Sequence, residues 1–202
     1  IIKETELEHG RIVFNGNNYS AEWRDEAVKR GLPDYKNTAE ALPHLTDPKN
    51  IGVFVRNGVF TESELKSRRE IYLDNYCKTV SIEALTALDM ARQQILPSIA
   101  AYIAKLSEAE RGLSAISVEA PMAEDMKKLS SLYQSGKECV ANLESALFKA
   151  RARGSGQAAA ILYAEEVLPA MLGLRVVADE AELMVSEDCW QYPKYDKLLF
   201  DI

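Results

Sequence analysis

The sequence of 202 residues has few of the side chains that build disulfides or metal sites. Its three cysteines, Cys77, Cys139 and Cys189, lie far apart and form neither a CxxC pair nor a zinc-binding spacing. Its two histidines are His9 and His44, and the Glu-x-x-His and HExxH patterns of helical metal sites are absent. We therefore expect reduced thiols, as in a cytoplasmic protein, and no metal-binding histidine.

An excess of basic charge and a long apolar run are also missing. There are 24 Lys and Arg residues against 31 Asp and Glu residues, and this net charge of −7 argues against a nucleic-acid partner. The most apolar window, Ile95 to Ala104, is far shorter than the roughly 20 residues of a membrane span. The N-terminus has neither a start methionine nor signal-peptide features, so we expect a segment of something longer, without a membrane partner.

Helical patterns dominate what is present. Thr61 and Glu64 have the spacing of a capping box, which predicts the start of a long helix. Apolar residues recur at helical spacing from there to about Glu108, and Gly112 is predicted to end the helix. A proline removes a backbone donor and clashes with the preceding turn, so Pro97 predicts a kink.

Two further long helices follow. Gly154-Ser155-Gly156 is predicted to turn the chain between them, and Pro169 lies in a context like that of Pro97. We therefore hypothesise that the two proline kinks lie side by side. The first of these helices, after Pro121, has two interleaved heptad positions. They are occupied by Met126, Tyr133, Val140 and Leu147, and by Leu129, Gly136, Leu143 and Ala150.

The first sixty residues are broken by turn residues and predict short helices joined by tight loops. Arg11 to Phe14 is the exception, an apolar run that predicts either a strand or an extended segment. The expected fold is all-α: an antiparallel three-helix bundle of residues 61–202, with a cap of short helices in residues 1–60. The aromatic tail, from Trp190 through Lys194 to Phe200, is expected to fold back onto the bundle.

Carboxylates are the first candidates for chemistry. Glu165-Glu166 and the run Asp179-Glu180-x-Glu182 resemble metal or acid–base groups in composition. Residues one or two apart on a helix point in different directions, so these carboxylates are predicted to be solvated.

The remaining candidate residues are also predicted to have structural roles. The glycines at 154 and 156 lack the phosphate-loop spacing, and the cysteines have no nearby histidine in sequence. Tyr72 and Tyr76 are predicted to be core residues, and the basic clusters are predicted to be solvated faces balanced by acids. These clusters are Arg68-Arg69, Lys127-Lys128 and Arg151-x-Arg153. We predict no catalytic, cofactor-binding or metal-binding residue in the chain.

Three longer segments of the sequence are too long and too ordered to result from helix composition alone. They are FNGNNYS (14–20), GLPDYKNTAEALP (31–43) and NYCKTVSIEAL (75–85). With them, the chain from Arg11 to Phe200 resembles the C-terminal region of type III glutamine synthetases, a large bacterial form of the enzyme. Residues 114–156 resemble this family by helical character alone, and Trp190-Gln191 departs from the Trp-Pro that the family tends to show.

The resemblance implies a full-length ligase of glutamine biosynthesis and nitrogen metabolism. Such an enzyme joins glutamate and ammonia through a γ-glutamyl phosphate, using ATP and bound Mg or Mn. The family's metal-binding glutamates, substrate loop and phosphate-binding arginines lie upstream, and none maps onto this chain. The resemblance implies a non-catalytic, cytoplasmic domain for assembly or regulation. Its partners are then the upstream catalytic domain and further copies in a ring, commonly a dodecamer.

Two alternatives remain open from the residues themselves. The first is a stand-alone helical scaffold or protein-interaction module. The second is a bundle that binds a small molecule in the space near Pro97 and Pro169.

Overall fold

The structure of the chain is a computed structural model that describes residues 1–193 and 195–200. Every regular element in these residues is helical, which confirms the all-α prediction. Residues 1–60 form the short-helix region. Its helices are α1 (Ile2–His9), α2 (Ala21–Lys29), α3 (Thr38–Ala41), which continues as a 3-10 turn (Leu42–Thr46), and α4 (Pro48–Arg56).

Of the two alternatives for Arg11 to Phe14, the strand is wrong and the extended segment is found at Val13. Gly10–Ile12 is a short 3-10 helix, and extended backbone follows at Val13. The Val13 carbonyl accepts a hydrogen bond from Arg30 Nη1 at 2.7 Å instead of from a neighbouring strand. The guanidinium therefore satisfies this carbonyl where a sheet would otherwise be needed.

Helix α5 is a single element of 54 residues. It comprises Glu62–Met90, a π-helical turn (Ala91–Ile95) and Leu96–Ala115. Its first turn has the predicted capping box, in which Thr61 N donates to Glu64 Oε2 at 2.7 Å and Glu64 N donates to Thr61 Oγ1 at 3.3 Å.

The predicted end of α5 at Gly112 is wrong, because the helix continues to Ala115. Ser117 adopts a positive φ of 59°, and the amides of Ser117 and Val118 donate to the carbonyls of Ser114 and Leu113. This is the hydrogen-bond pattern of a Schellman cap. Glycine permits a helix end but does not impose one, so the cap formed at a serine instead.

The long-helix bundle is completed by α6 (Ala123–Ala152) and α7. Helix α7 comprises Gln157–Leu162, a π turn (Tyr163–Val167) and Leu168–Met184, and the short helix α8 is Tyr195–Phe200. Gly154 and Gly156, with φ of 77° and 101°, turn the chain between α6 and α7 as predicted. Because α6 is antiparallel to both neighbours, α5 and α7 run parallel.

At each of the two prolines where a kink was predicted, the helix contains a π turn. This turn ends directly before the Leu-Pro pair. Pro97 follows the turn at 91–95, and Pro169 follows the turn at 163–167. A proline ring clashes with the carbonyl four residues earlier in an α-helix, and a wider turn relieves that contact.

The two prolines do not lie side by side. The π turn of α5 packs on Leu168–Met184, and that of α7 packs on Glu62–Met90. Leu96 of α5 and Val177 of α7 both lie within 4 Å of the Cβ position of Gly136, so these two residues are level in the bundle. At that register, Pro97 lies roughly 13 Å further along the bundle than Pro169, at about 1.5 Å per residue.

The bundle core follows the predicted heptads of α6. Leu129, Gly136, Val140, Leu143, Leu147 and Ala150 are all buried. At Gly136 an added Cβ would lie 2.8 Å from Leu96 Cδ2, so this glycine allows Leu96 of α5 to approach α6 closely. On α5 the buried face differs from the prediction: Leu73 and Cys77 are buried, whereas Tyr72 is 44% exposed.

The tail folds back onto the bundle, as predicted. Trp190 is buried and its ring contacts that of Tyr192, with centroids 6.3 Å apart. The predicted tail also includes Lys194, which lies outside the described residues.

Candidate functional site

The candidate carboxylates are spread over the outer faces of the bundle. Glu166 accepts a hydrogen bond from Lys149 Nζ at 3.0 Å, and Asp179 accepts one from Arg175 Nε at 3.0 Å. Glu180 and Glu182 lie further along the same helix. Within residues 1–193 and 195–200, no three His, Cys, Asp or Glu side chains come close enough to hold a metal ion.

The two histidines have different surroundings. His9 is exposed at the end of α1, with its Nε2 3.8 Å from a carboxylate oxygen of Glu8. His44 contacts Asp47, with Nδ1 2.7 Å from Oδ2, and its ring stacks on Tyr35 with centroids 4.3 Å apart. These contacts fix the loop before α4, where Asp47 is the N-terminal cap residue and Pro48 follows it.

The cysteines are free thiols in packed surroundings. Cys77 is buried in the bundle, and Cys139 and Cys189 are half-buried. Burial raises the pKa of Cys77, against a smaller lowering by the backbone amide of Gly156. A thiol held protonated by burial is a weak nucleophile.

The basic clusters lie at the surface, as predicted, with one exception. Lys127, Lys128 and Arg153 are exposed. Arg68 lies over the Phe60 ring at 4.4 Å, and the Nε of Arg69 is buried without a hydrogen-bond partner among the described residues.

An apolar groove between α5 and α6 is the first feature suited to binding another molecule. We call it the Phe148 groove; Leu88 and Leu147, both 4% exposed, form its floor, and Leu85 and Phe148 form its walls. The groove has a volume of about 640 Å³. Phe148 is 76% exposed, which is unusual for a phenylalanine beside a packed core.

A second groove lies between α5 and α7 where the tail crosses them. We call it the tail groove; it has a volume of about 650 Å³ and is lined by Met90, Ile95, Leu174, Trp190 and Tyr192. Trp190 Nε1 and Tyr192 Oη are buried without hydrogen-bond partners among the described residues, and burial raises the pKa of Tyr192. The tail thus occupies the opening between the two parallel helices.

Sequence reasoning missed Phe148 as a candidate binding residue. The available signal was its position, because Phe148 lies between the seam residues Leu147 and Ala150 and belongs to neither heptad seam. A large aromatic side chain outside the seam of a regular heptad indicates a contact beyond the bundle.

The part of the chain that the structure describes contains no helix both long and apolar enough to cross a membrane.

The chain is similar to known proteins over nearly its whole length. The family model described as glutamine synthetase C-terminal domain matches residues 1–114. A glutamine synthetase of Butyrivibrio fibrisolvens is 37% identical over 206 residues, covering 100% of this chain and 29% of its own length. The type-3 glutamine synthetase of Dictyostelium discoideum is 29% identical, over 99% of this chain and 28% of its own length.

A glutamine synthetase of Bacteroides fragilis is 31% identical, over 99% of this chain and 28% of its own length. The chain thus spans less than a third of the length of these curated relatives. The family match ends at residue 114, whereas the alignments with the three relatives extend over nearly the whole chain. More than half of the chain matches the family model, and the chain belongs to the glutamine synthetase C-terminal domain family.

Proposed function

We propose that the chain works as the non-catalytic helical domain of a longer glutamine synthetase. In that protein, upstream residues join ammonia to glutamate through a γ-glutamyl phosphate, with ATP and bound Mg or Mn. The observation that carries the proposal is the coverage: almost the whole chain aligns with 28–29% of each glutamine synthetase relative. The domain contributes no catalytic, cofactor-binding or metal-binding residue of its own.

The chemistry of the donor groups supports this division of labour. A magnesium–nucleotide site needs carboxylates that converge on one point. Among the described residues no three His, Cys, Asp or Glu side chains converge, and several carboxylates pair singly with basic side chains, as Glu166 does with Lys149 and Asp74 does with Lys78. The described residues therefore do not fit the metal and nucleotide of the reaction, and we assign both to the upstream part.

We further propose that residues 1–60 form the junction with the upstream catalytic domain and that residues 61–202 form the assembly domain. The junction is supported by apolar side chains of the short-helix region that have no partner in the bundle. Ile2, Leu7 and Val28 are 85%, 79% and 61% exposed. A contact with the upstream domain would remove these side chains from water.

Assembly into a homo-oligomer is the role that we favour over regulation, and the cytoplasm is the compartment that suits free thiols. The Phe148 groove and the tail groove are open apolar surfaces on the helices of the bundle. Subunit contacts draw on such surfaces, whereas regulation requires two states of the domain.

The test compares the 202-residue chain with the longer protein. Both are assayed for glutamine formation from glutamate, ammonia and ATP with Mg or Mn. We expect turnover from the longer protein alone, and turnover by the chain at the rate of the longer protein would overturn the proposal. A third sample, the longer protein without residues 61–202, measures assembly: we expect its mass in light scattering to fall.

A further inference from the structure

The Phe148 groove combines a protruding side chain and a depression of the same chemistry on one face. Phe148 projects from α6 at 76% exposure, and the floor of Leu88 and Leu147 lies beside it. Ile82, one turn before Leu85 on α5, extends the apolar face at 64% exposure. Removing an exposed phenylalanine side chain from water stabilises a complex.

The charges around the groove are balanced. Arg92 of α5 forms an ion pair with Glu144 of α6 at one end of the groove. Asp89 and Arg151 also line the groove, and neither forms an ion pair with another described residue. Asp89 and Arg151 are therefore an acid and a base on the same face that have no ion-pair partner among the described residues.

Such a face is complementary to itself. A two-fold axis lying in an interface brings residue i of one copy against residue j of the other, and j against i. An axis that bisects the line between Asp89 and Arg151 therefore forms two equivalent ion pairs. The same operation presents each Phe148 to the groove of the opposite copy. A partner of single charge sign would leave either Asp89 or Arg151 against a like charge.

We propose that the Phe148 groove is the contact surface for a second copy of this chain, related by a two-fold axis. Each Phe148 inserts between Leu85 and Leu88 of the other copy, and each Asp89 pairs with Arg151 of the other copy. The inference rests on the assembly role proposed above and names the surface that performs it.

The sharpest test uses two charge reversals and their mixture. Asp89→Arg gives each copy two bases at the contact, and Arg151→Asp gives each copy two acids. Each variant alone is expected to self-associate about tenfold more weakly than the unaltered chain, measured by sedimentation velocity. Mixed in equal amounts, the two variants are expected to form a heterodimer, because every acid then faces a base.

Recovery on mixing is specific to a contact between copies. If an upstream domain or another protein covered the groove, mixing the two variants would leave both monomeric, and this result would overturn the proposal. Far-UV circular dichroism of each variant checks that the helices are retained. Because both positions are exposed on helix surfaces, the variants are expected to fold.

A second pair of variants tests the aromatic anchor. Phe148→Asp is expected to weaken self-association at least as strongly as either reversal, because it removes the side chain that fills the groove. The matched control is Leu183→Asp, which alters an even more exposed apolar residue of α7 outside the groove and should leave self-association unchanged. Equal loss in both variants, or an unaltered chain that stays monomeric to about 100 µM, would overturn the proposal.

This test is separate from that of the proposed function. If the chain dimerises but the longer protein forms no glutamine, the proposed function fails and the contact stands. If the longer protein is active but charge-reversed variants do not recover on mixing, the contact fails and the proposed function stands.

Discussion

The long-helix bundle and the short-helix region differ in how they bury their apolar residues. In the bundle, leucines such as Leu73, Leu129 and Leu143 are completely buried between helices. Within residues 1–60, the buried hydrophobic residues are two alanines, Ala27 and Ala39. Folding free energy comes mainly from apolar burial, so the bundle supplies its own stability and the short-helix region supplies little.

The difference indicates what each region is for. Several apolar side chains of the short-helix region still face solvent, as Tyr19 does at 95% exposure, whereas Leu42 packs on the bundle core. A local contact of this region is the cap of Asn37 on Glu40 N at 2.9 Å, and a hydrogen bond from Gln157 Nε2 to the Ala39 carbonyl at 2.7 Å joins the region to the bundle. These exposed apolar groups agree with the junction to the upstream protein proposed above.

The largest expected effect comes from matched truncations in the two regions. Leu143→Ala should lower the free energy of unfolding by about 2–5 kcal/mol, because it leaves a cavity in the bundle core. Leu7→Ala removes the same atoms from an exposed position and should change it by less than about 0.5 kcal/mol. Urea unfolding measures both, and similar losses would break the comparison.

The next largest effect comes from two glycine substitutions, one in each region. They are expected to change the free energy of unfolding in opposite directions. Gly136→Ala places a Cβ 2.8 Å from Leu96 Cδ2, and the resulting overpacking should cost about 1–3 kcal/mol. Gly52→Ala in α4 meets no atom within 4 Å and should stabilise that helix by up to about 1 kcal/mol. Thermal unfolding of both variants tests the pair; a stabilising Gly136→Ala would show that the three helices are not closely packed there.

Helix caps give a smaller difference. Thr61→Ala removes the capping box of α5 and should cost about 1 kcal/mol. Ser20 caps α2 without a side-chain hydrogen bond to the helix, so Ser20→Ala should cost less than about 0.5 kcal/mol. Equal losses in urea unfolding would mean that the two caps do not differ as described.

The smallest effect is the pH dependence of the tail contact. The hydrogen bond from Lys105 lowers the pKa of Asp188, and the same bond raises the pKa of Lys105. The stabilisation by Asp188 is therefore present at neutral pH and lost as the pH falls through its lowered pKa. That by Lys105 is lost as the pH rises through its raised pKa.

Asp188→Asn should remove the acid limb of this dependence. We expect the difference between the urea midpoints of the unaltered chain and the variant to shrink as the solution is acidified. Because both groups are exposed, the change is expected to be small. A difference that grows in acid would contradict the assignment.

Local patterns allowed much of the bundle to be predicted, because its determinants are close in sequence. The capping box at Thr61 needs four residues, and the seam through Leu129 and Leu143 repeats every seven. The α5 terminus was missed because two short segments, at Gly112 and Ser117, were both able to cap the helix. The register of α5 on α7 was missed because it depends on side chains far apart in sequence, such as Leu96 and Val177, which meet beside Gly136.

The candidate contact surface was harder to predict for the same reason. The position of Phe148 outside the seam is visible in the sequence, but the groove beside it depends on how closely Leu85 and Leu88 of α5 approach α6. The absence of catalytic residues stays a prediction, since it concerns the reaction of the longer protein.

Hydrogen exchange, read by mass spectrometry on the 202-residue chain and on the longer protein, tests the account most directly. We predict strong protection of the bundle helices in both samples. Residues 1–60 should exchange rapidly in the chain and become protected in the longer protein. Equal protection of residues 1–60 in both samples would contradict the claim that this region is completed by the upstream part.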